Sequence, residues 1–138
     1  MDRPTWDRYF IEISRTVATR STCSRLHVGA IIVDLGHHIR STGYNGAPPG
    51  DPHCGEHSDG LRCTLALHAE RNAITHSVAE TIGCTLYTTH SPCEDCAFRI
   101  WAAGIVRVVY EIEYRKPEPL DFLRDHGIVV EQLKLEDV

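Results

Sequence analysis

With 138 residues, 42% of them hydrophobic, the chain is long enough to bury a core of its own and needs no disulfides to fold. A net charge of -5 argues against a broad basic nucleic-acid surface, and no apolar run approaches the ~20 residues of a membrane span. The N-terminus shows no basic stretch leading into an apolar one, so no signal peptide is expected and the cytoplasm is the expected compartment. Thiols stay reduced there, so the six cysteines read as metal ligands or buried thiols. Nine histidines beside them are the first sign of metal.

The elements follow in chain order. Trp6, Phe10, Ile13 and Val17 recur at helical spacing, which predicts a helix over 4–18 starting near Pro4 or Thr5. After a polar loop, residues 28–34 and 38–44 read as two strands. They are joined by a tight turn at Leu35-Gly36-His37, which makes a hairpin. Residues 45–62 hold many of the Gly and Pro residues and read as a long loop held by something. A helix is expected from residue 67 or 68 to 79, a strand at 85–89 and a helix from Pro92 to Gly104. A strand at 105–111, a short helix at 119–126 stopped by Gly127, and a strand at 128–133 complete the series. Helices alternating with strands predict an α/β sandwich whose sheet is partly parallel, in one domain over 1–138.

Two short segments carry chemistry. His68-Ala69-Glu70 followed by Pro92-Cys93-Glu94-Asp95-Cys96 is the H-x-E and P-C-x-x-C pattern of zinc deaminases. Cys93 and Cys96, three apart at a helix start, are expected to share one face, with Pro92 at the first helical position. The positive end of that helix favours thiolates. His68 supplies a third, neutral ligand at another helix start. Three protein ligands leave a fourth zinc position for water, whose pKa zinc lowers to near neutrality. Glu70 then takes the water proton and hands it to the ring nitrogen and the departing amine. The alternative is a closed structural zinc in a non-enzymatic module, which would have no use for Glu70.

The likeness extends well beyond the metal ligands. Ser21-Thr22-Cys23-Ser24-Arg25, Val28-Gly29-Ala30, Gly43-Tyr44-Asn45-Gly46-Ala47-Pro48-Pro49-Gly50, Pro52-His53-Cys54, Cys63, His68 to Ile74, Leu86 to Cys93, Ala103-Gly104-Ile105, Val108-Val109-Tyr110 and Tyr114-Arg115 together resemble the deoxycytidylate (dCMP) deaminases of the cytidine deaminase superfamily. The motif of Ser21 to Arg25 with Val28 to Ala30, and the Gly43 to Gly50 loop, separate that family from tRNA adenosine deaminases. The resemblance implies a three-layer α/β/α sandwich with a five-stranded mixed sheet. It implies hydrolysis of dCMP to dUMP and ammonia for thymidylate synthesis, and a homo-oligomer, commonly a hexamer. Deamination of 5-methyl-dCMP or of free cytidine remains an alternative, because a pocket discriminates one methyl by only about 10–200-fold. A nucleic-acid base editor is disfavoured by the acidity and the 7% aromatic content.

Several substrate contacts can be named. The Asn45 amide can both donate and accept, which suits a deoxyribose hydroxyl; its other reading is an Asn-Gly turn residue. Arg25 can grip a 5′-phosphate through its planar fork, or be a solvated surface residue. Asn72, four residues after His68, shares its helix face. Tyr114 and Arg115 either close over nucleotide or simply end a strand. The Ala69 N–H and the Ser91 carbonyl are expected at the base. The resemblance also implies a second, structural zinc joining Cys23 and Cys54, with Cys63 and His57 as the further ligands and His53 competing with His57. Free thiols are the alternative there. Cys84, at a strand start, is expected to pack. His76 and Ala79 stand where regulated relatives have an aromatic residue and an arginine, so weak or absent dCTP regulation is expected.

Overall fold

The computed structural model describes residues 2–23, 26–47, 68–114 and 116–135. Its elements are α1 (Trp6–Ala18), β1 (Gly29–Val33), β2 (Ile39–Tyr44), α2 (Ala69–Thr75), β3 (Thr85–His90), α3 (Glu94–Ala102), β4 (Arg107–Ile112), α4 (Glu118–Asp125) and β5 (Val129–Gln132). One sheet runs in the order β2-β1-β3-β4-β5. β1 pairs antiparallel with both β2 and β3, whereas β3, β4 and β5 are mutually parallel. The hairpin and the mixed five-stranded sheet are as the sequence predicts.

Strand parity decides the layering. All five residues of β1 are buried. Ile31 and Val33 join Tyr87 and Val109 in a cluster under Phe10 and Ile11 of α1. Ala30 and Ile32 join Leu86 and Val108 in the opposite cluster, with Ala69, Ala73, Ala97, Ile100, Leu120 and Leu123 of α2, α3 and α4. A strand covered on both faces reads as a continuous apolar run, and β1 does. The three-layer α/β/α sandwich follows. Cys84 packs in the second cluster as expected, and burial raises its thiol pKa. Polar ties hold α1 on its face. Arg107 on β4 grips both carboxylate oxygens of Asp7 (2.9 and 2.7 Å), and Asp7 also accepts from the Tyr87 hydroxyl at 2.6 Å. Buried Glu111 accepts from Arg15 at 2.8 Å.

Element boundaries depart from expectation where the backbone finds local partners. The helix expected to reach residue 79 stops at Thr75. The Ser77 N–H caps the Ile74 carbonyl, and the Ser77 hydroxyl donates to the Ala79 carbonyl, so hydroxyl–backbone bonding displaces further helix. α3 begins at Glu94 rather than Pro92, because Cys93 is its N-cap with extended backbone (φ -79°, ψ 175°). β4 begins at Arg107 rather than Ile105. Gly104, at φ 76°, turns the chain, and the Ile105 N–H bonds back to the Ile100 carbonyl, ending α3 instead of starting the strand.

Candidate metal and catalytic centre

The centre lies where the parallel strand β3 ends and α2 and α3 begin, the edge at which open α/β sheets bind ligands. His68 is the N-cap of α2, with extended backbone and a side chain that makes no capping bond, which leaves the imidazole for another task. Cys93 caps α3, and its sulfur accepts from the Cys96 N–H at 3.4 Å. The two cysteines therefore meet through a cap and the first turn, not as neighbours on a continuous helix face. Pro92 stands just before the cap and fixes the turn out of β3.

His68 Nδ1 lies 3.3 Å from each sulfur, and the three donor atoms all fall within 4.8 Å of one another. A tetrahedral zinc with about 2.3 Å bonds to sulfur and 2.0 Å to nitrogen needs ligand atoms roughly 3.5 Å apart. The donor set and its spacing fit the ion. Each of the two thiols perturbs the other. The hydrogen bond from Cys96 holds the Cys93 thiol well below its ordinary value, with His68 and the Cys96 N–H adding to the effect. The same bond, then burial and the Glu70 carboxylate, push Cys96 up. A divalent cation in place of the Cys96 proton lets both sulfurs ligate as thiolates. Glu70, on the first turn of α2, is 4% exposed. A carboxylate buried two residues from a ligand is placed to handle protons rather than solvent.

The other expected site residues divide. Ala69 is buried at the start of α2, and Ser91 is buried between β3 and Pro92, both beside the metal ligands. The Ser91 hydroxyl accepts from the Tyr114 N–H at 3.0 Å, which brings the end of β4 to the centre. Tyr114 is exposed there, with Cys93, Lys116, Glu118 and Phe122 along one open groove. Asn45 and Asn72 lie together at the end of β2, but their amides are engaged with the chain's own backbone. Cys23 is half-buried. Arg25, Arg115, Cys54, His57, Cys63 and the competing His53 fall outside the described residues. His90 was assigned no role from sequence. Its Nδ1 meets the Thr89 hydroxyl at 2.8 Å, and its ring stands edge-on to Tyr114 with centroids 6.0 Å apart. Position alone within Thr89-His90-Ser91-Pro92 was the available signal.

Fold and donor set together define a zinc-dependent deaminase. Residues 4–112 match the cytidine and deoxycytidylate deaminase zinc-binding region. The chain is 42% identical over 128 residues to the deoxycytidylate deaminase of Mycobacterium phage D29, covering 82% of this chain and 99% of that one. It is 37% identical to the deoxycytidylate deaminase of Saccharomyces cerevisiae, spanning 98% of this chain but 47% of the yeast protein. Among solved structures it resembles the dCMP deaminase of cyanophage S-TIM5 in complex with dCMP and dUMP. The TM-score is 0.86 at 35% identity, over 96% of this chain and all of that one. The chain belongs to the cytidine and deoxycytidylate deaminase family. It is an enzyme, and zinc is its cofactor.

Proposed function

We propose that the chain, as a single deaminase domain, hydrolyses dCMP to dUMP and ammonia. The observation that carries the reading is the convergence of His68, Cys93 and Cys96 with buried Glu70 beside them. Bound zinc supplies a Lewis acid that makes water nucleophilic at neutral pH. The chain's residues do the rest. Glu70 carries one proton from the attacking water to N3, then carries the proton of the resulting C4 hydroxyl to the departing amine, so that ammonia leaves and the C4 carbonyl forms. The Ala69 N–H and the Ser91 carbonyl hold the base edge, and Tyr114 covers the nucleotide at the mouth. Arg25 takes the 5′-phosphate. The product, dUMP, supplies thymidylate synthesis. The phage and yeast relatives that carry the deoxycytidylate deaminase name, and the dCMP and dUMP held by the cyanophage enzyme, support this substrate over cytidine. The acidity of the chain disfavours nucleic acid.

Ammonia release measured over dCMP, CMP, 5-methyl-dCMP, deoxycytidine and dCTP tests the assignment. Preference for dCMP is expected; faster turnover of 5-methyl-dCMP or deoxycytidine would reassign the substrate.

The second zinc at Cys23, Cys54, Cys63 and His57 belongs to the same proposal. It predicts two zinc ions per chain by metal analysis, falling to one in Cys23→Ala. Among the described residues no helix is long and apolar enough to cross a membrane, and we place the enzyme in the cytoplasm. We also expect a homo-oligomer. Phe98 and Trp101 of α3 stand 55% and 41% exposed, and they meet each other, Phe122 and His126 edge-on or tilted in one aromatic patch that suits a protein contact. Light scattering gives the copy number.

A further inference from the structure

We infer that Thr89 and His90 are positioning residues for Tyr114. The Thr89 hydroxyl fixes the His90 imidazole, and the imidazole fixes the tyrosine ring that stands at the mouth of the catalytic centre. This rests on the deaminase reading above, in which Tyr114 covers the nucleotide. The register of the sheet brings the two rings together. His90, the last residue of β3, pairs with Ile112, the last residue of β4, and Tyr114 follows two residues later. Ser91 clasps the backbone there. Its N–H donates to the Ile112 carbonyl at 2.9 Å, and its hydroxyl accepts from the Tyr114 N–H at 3.0 Å. The Tyr114 side chain, by contrast, stands 55% exposed. Its ring meets that of His90 edge-on, at 86° with centroids 6.0 Å apart.

The imidazole is itself anchored, and its hydrogen bond sets its tautomer. Thr89 is buried. Its hydroxyl oxygen accepts from the Gly29 N–H at 3.1 Å and lies 2.8 Å from His90 Nδ1. A hydroxyl has one proton to donate. Among the described residues the acceptor in reach of that proton is Nδ1, and a buried donor left unspent is costly. Thr89 therefore donates to Nδ1, and the neutral imidazole carries its proton on Nε2. The Thr88 hydroxyl donates to the His90 carbonyl at 3.0 Å and holds the backbone of the same residue. The anchor reaches into the core. A Cβ on Gly29 would lie 2.1 Å from the Ser14 carbonyl oxygen and 2.6 Å from the Ala18 nitrogen, so β1 starts hard against α1. The line of contact runs from α1 through Gly29, Thr89 and His90 to Tyr114. A tyrosine ring held this way is in place before the nucleotide arrives, and binding loses less to ordering it.

A double-mutant cycle on ammonia release from dCMP tests the line. An edge-to-face ring pair is strong enough to shift an equilibrium by about 2–12-fold. His90→Leu and Thr89→Val should each raise KM by about that factor, with kcat little changed and zinc content intact. Thr89→Ser keeps the hydroxyl and His90→Phe keeps the ring, so both should recover most of the loss. In a Tyr114→Ala background, His90→Leu should add nothing further. An unchanged KM, or a His90→Leu loss of the same size with and without the Tyr114 ring, overturns the inference. NMR gives a readout apart from turnover. The ring-nitrogen chemical shifts of His90 should show a neutral imidazole protonated at Nε2, and cross-relaxation between the His90 and Tyr114 rings should vanish in Thr89→Val. A proton on Nδ1, or a ring contact that survives loss of the hydroxyl, also overturns it. The tautomer is read on the wild-type protein, so it decides the matter even if Thr89→Val does not fold. Wild-type protein that leaves dCMP untouched would sink the substrate assignment, while the NMR readouts would still judge the positioning role.

Discussion

Replacing Glu70 with glutamine isolates proton transfer from everything else at the centre. The side chain is 4% exposed, and the substitution keeps its length and shape, so packing around α2 and the positions of His68, Cys93 and Cys96 should stand. What disappears is the ability to accept a proton. General acid–base catalysis by one placed group contributes about 10²–10⁴ in rate, or roughly 3–5.5 kcal/mol. In the proposed mechanism Glu70 serves both the attacking water and the departing amine in one turnover, so the upper half of that range, a kcat loss of about 10³ or more, is expected. Metal binding should not suffer. The Glu70 charge is among the influences that raise the Cys96 thiol, so its removal eases formation of the second thiolate. The assay pairs ammonia release at saturating dCMP with zinc content per chain. A variant that holds its catalytic zinc and turns over within tenfold of wild type refutes the role of Glu70, and with it the mechanism.

Four further outcomes are expected. Chelation of zinc should abolish turnover and added zinc should restore it; activity in metal-free protein would contradict the centre. At Gly43 an added Cβ would stand 2.3 Å from the Ala69 carbonyl oxygen and 2.5 Å from the Ala73 nitrogen, both backbone atoms of α2. Gly43→Ala should therefore push that helix outward, cost about 1–3 kcal/mol in denaturant melts and weaken zinc binding; unchanged metal affinity would show that α2 does not hold the ligands in place. Arg107→Ala should cost about 2 kcal/mol, or roughly 6 °C in Tm, without changing zinc content. Its pH dependence follows from Asp7, whose carboxyl the Arg107 hydrogen bonds hold below the ordinary value. That contribution is present above the unfolded carboxylate pKa near 3.9 and is lost as pH falls through the folded one, so the Tm gap should shrink below about pH 4; an undiminished gap in acid would assign the loss to packing instead. Finally, Ala79 has no group to bind a phosphate, so dCTP should leave the dCMP saturation curve in place; a large leftward shift counts against this.

The parts of the site that could be read in the sequence are those defined by side-chain chemistry and short spacing. A histidine and two cysteines at H-x-E and P-C-x-x-C spacing must converge at element starts to ligate, and they do. Even there, local structure amended the reason. Cys93 reaches Cys96 because it caps α3, not because both ride the same helix face. Helix and strand identities were legible from apolar periodicity, but their ends were not. The hydroxyl of Ser77 and the turn at Gly104 settle those ends by hydrogen bonds that periodicity does not register.

Asn45 marks the limit. In sequence its amide suits a sugar hydroxyl and a turn equally. Its partners Ser21, Leu26 and Val28 lie 24, 19 and 17 residues away, and only folding brings them to it. The same holds for Asp7 and Arg107, 100 residues apart. The sequence by itself pointed to zinc and to the His68, Cys93 and Cys96 group that the fold brings together, because ligand chemistry depends on which atoms are offered and at what local spacing. The tertiary structure alone decided which layer each helix covers and how the amides of Asn45 and Asn72 are spent, because a hydrogen bond goes to whichever partner the fold presents.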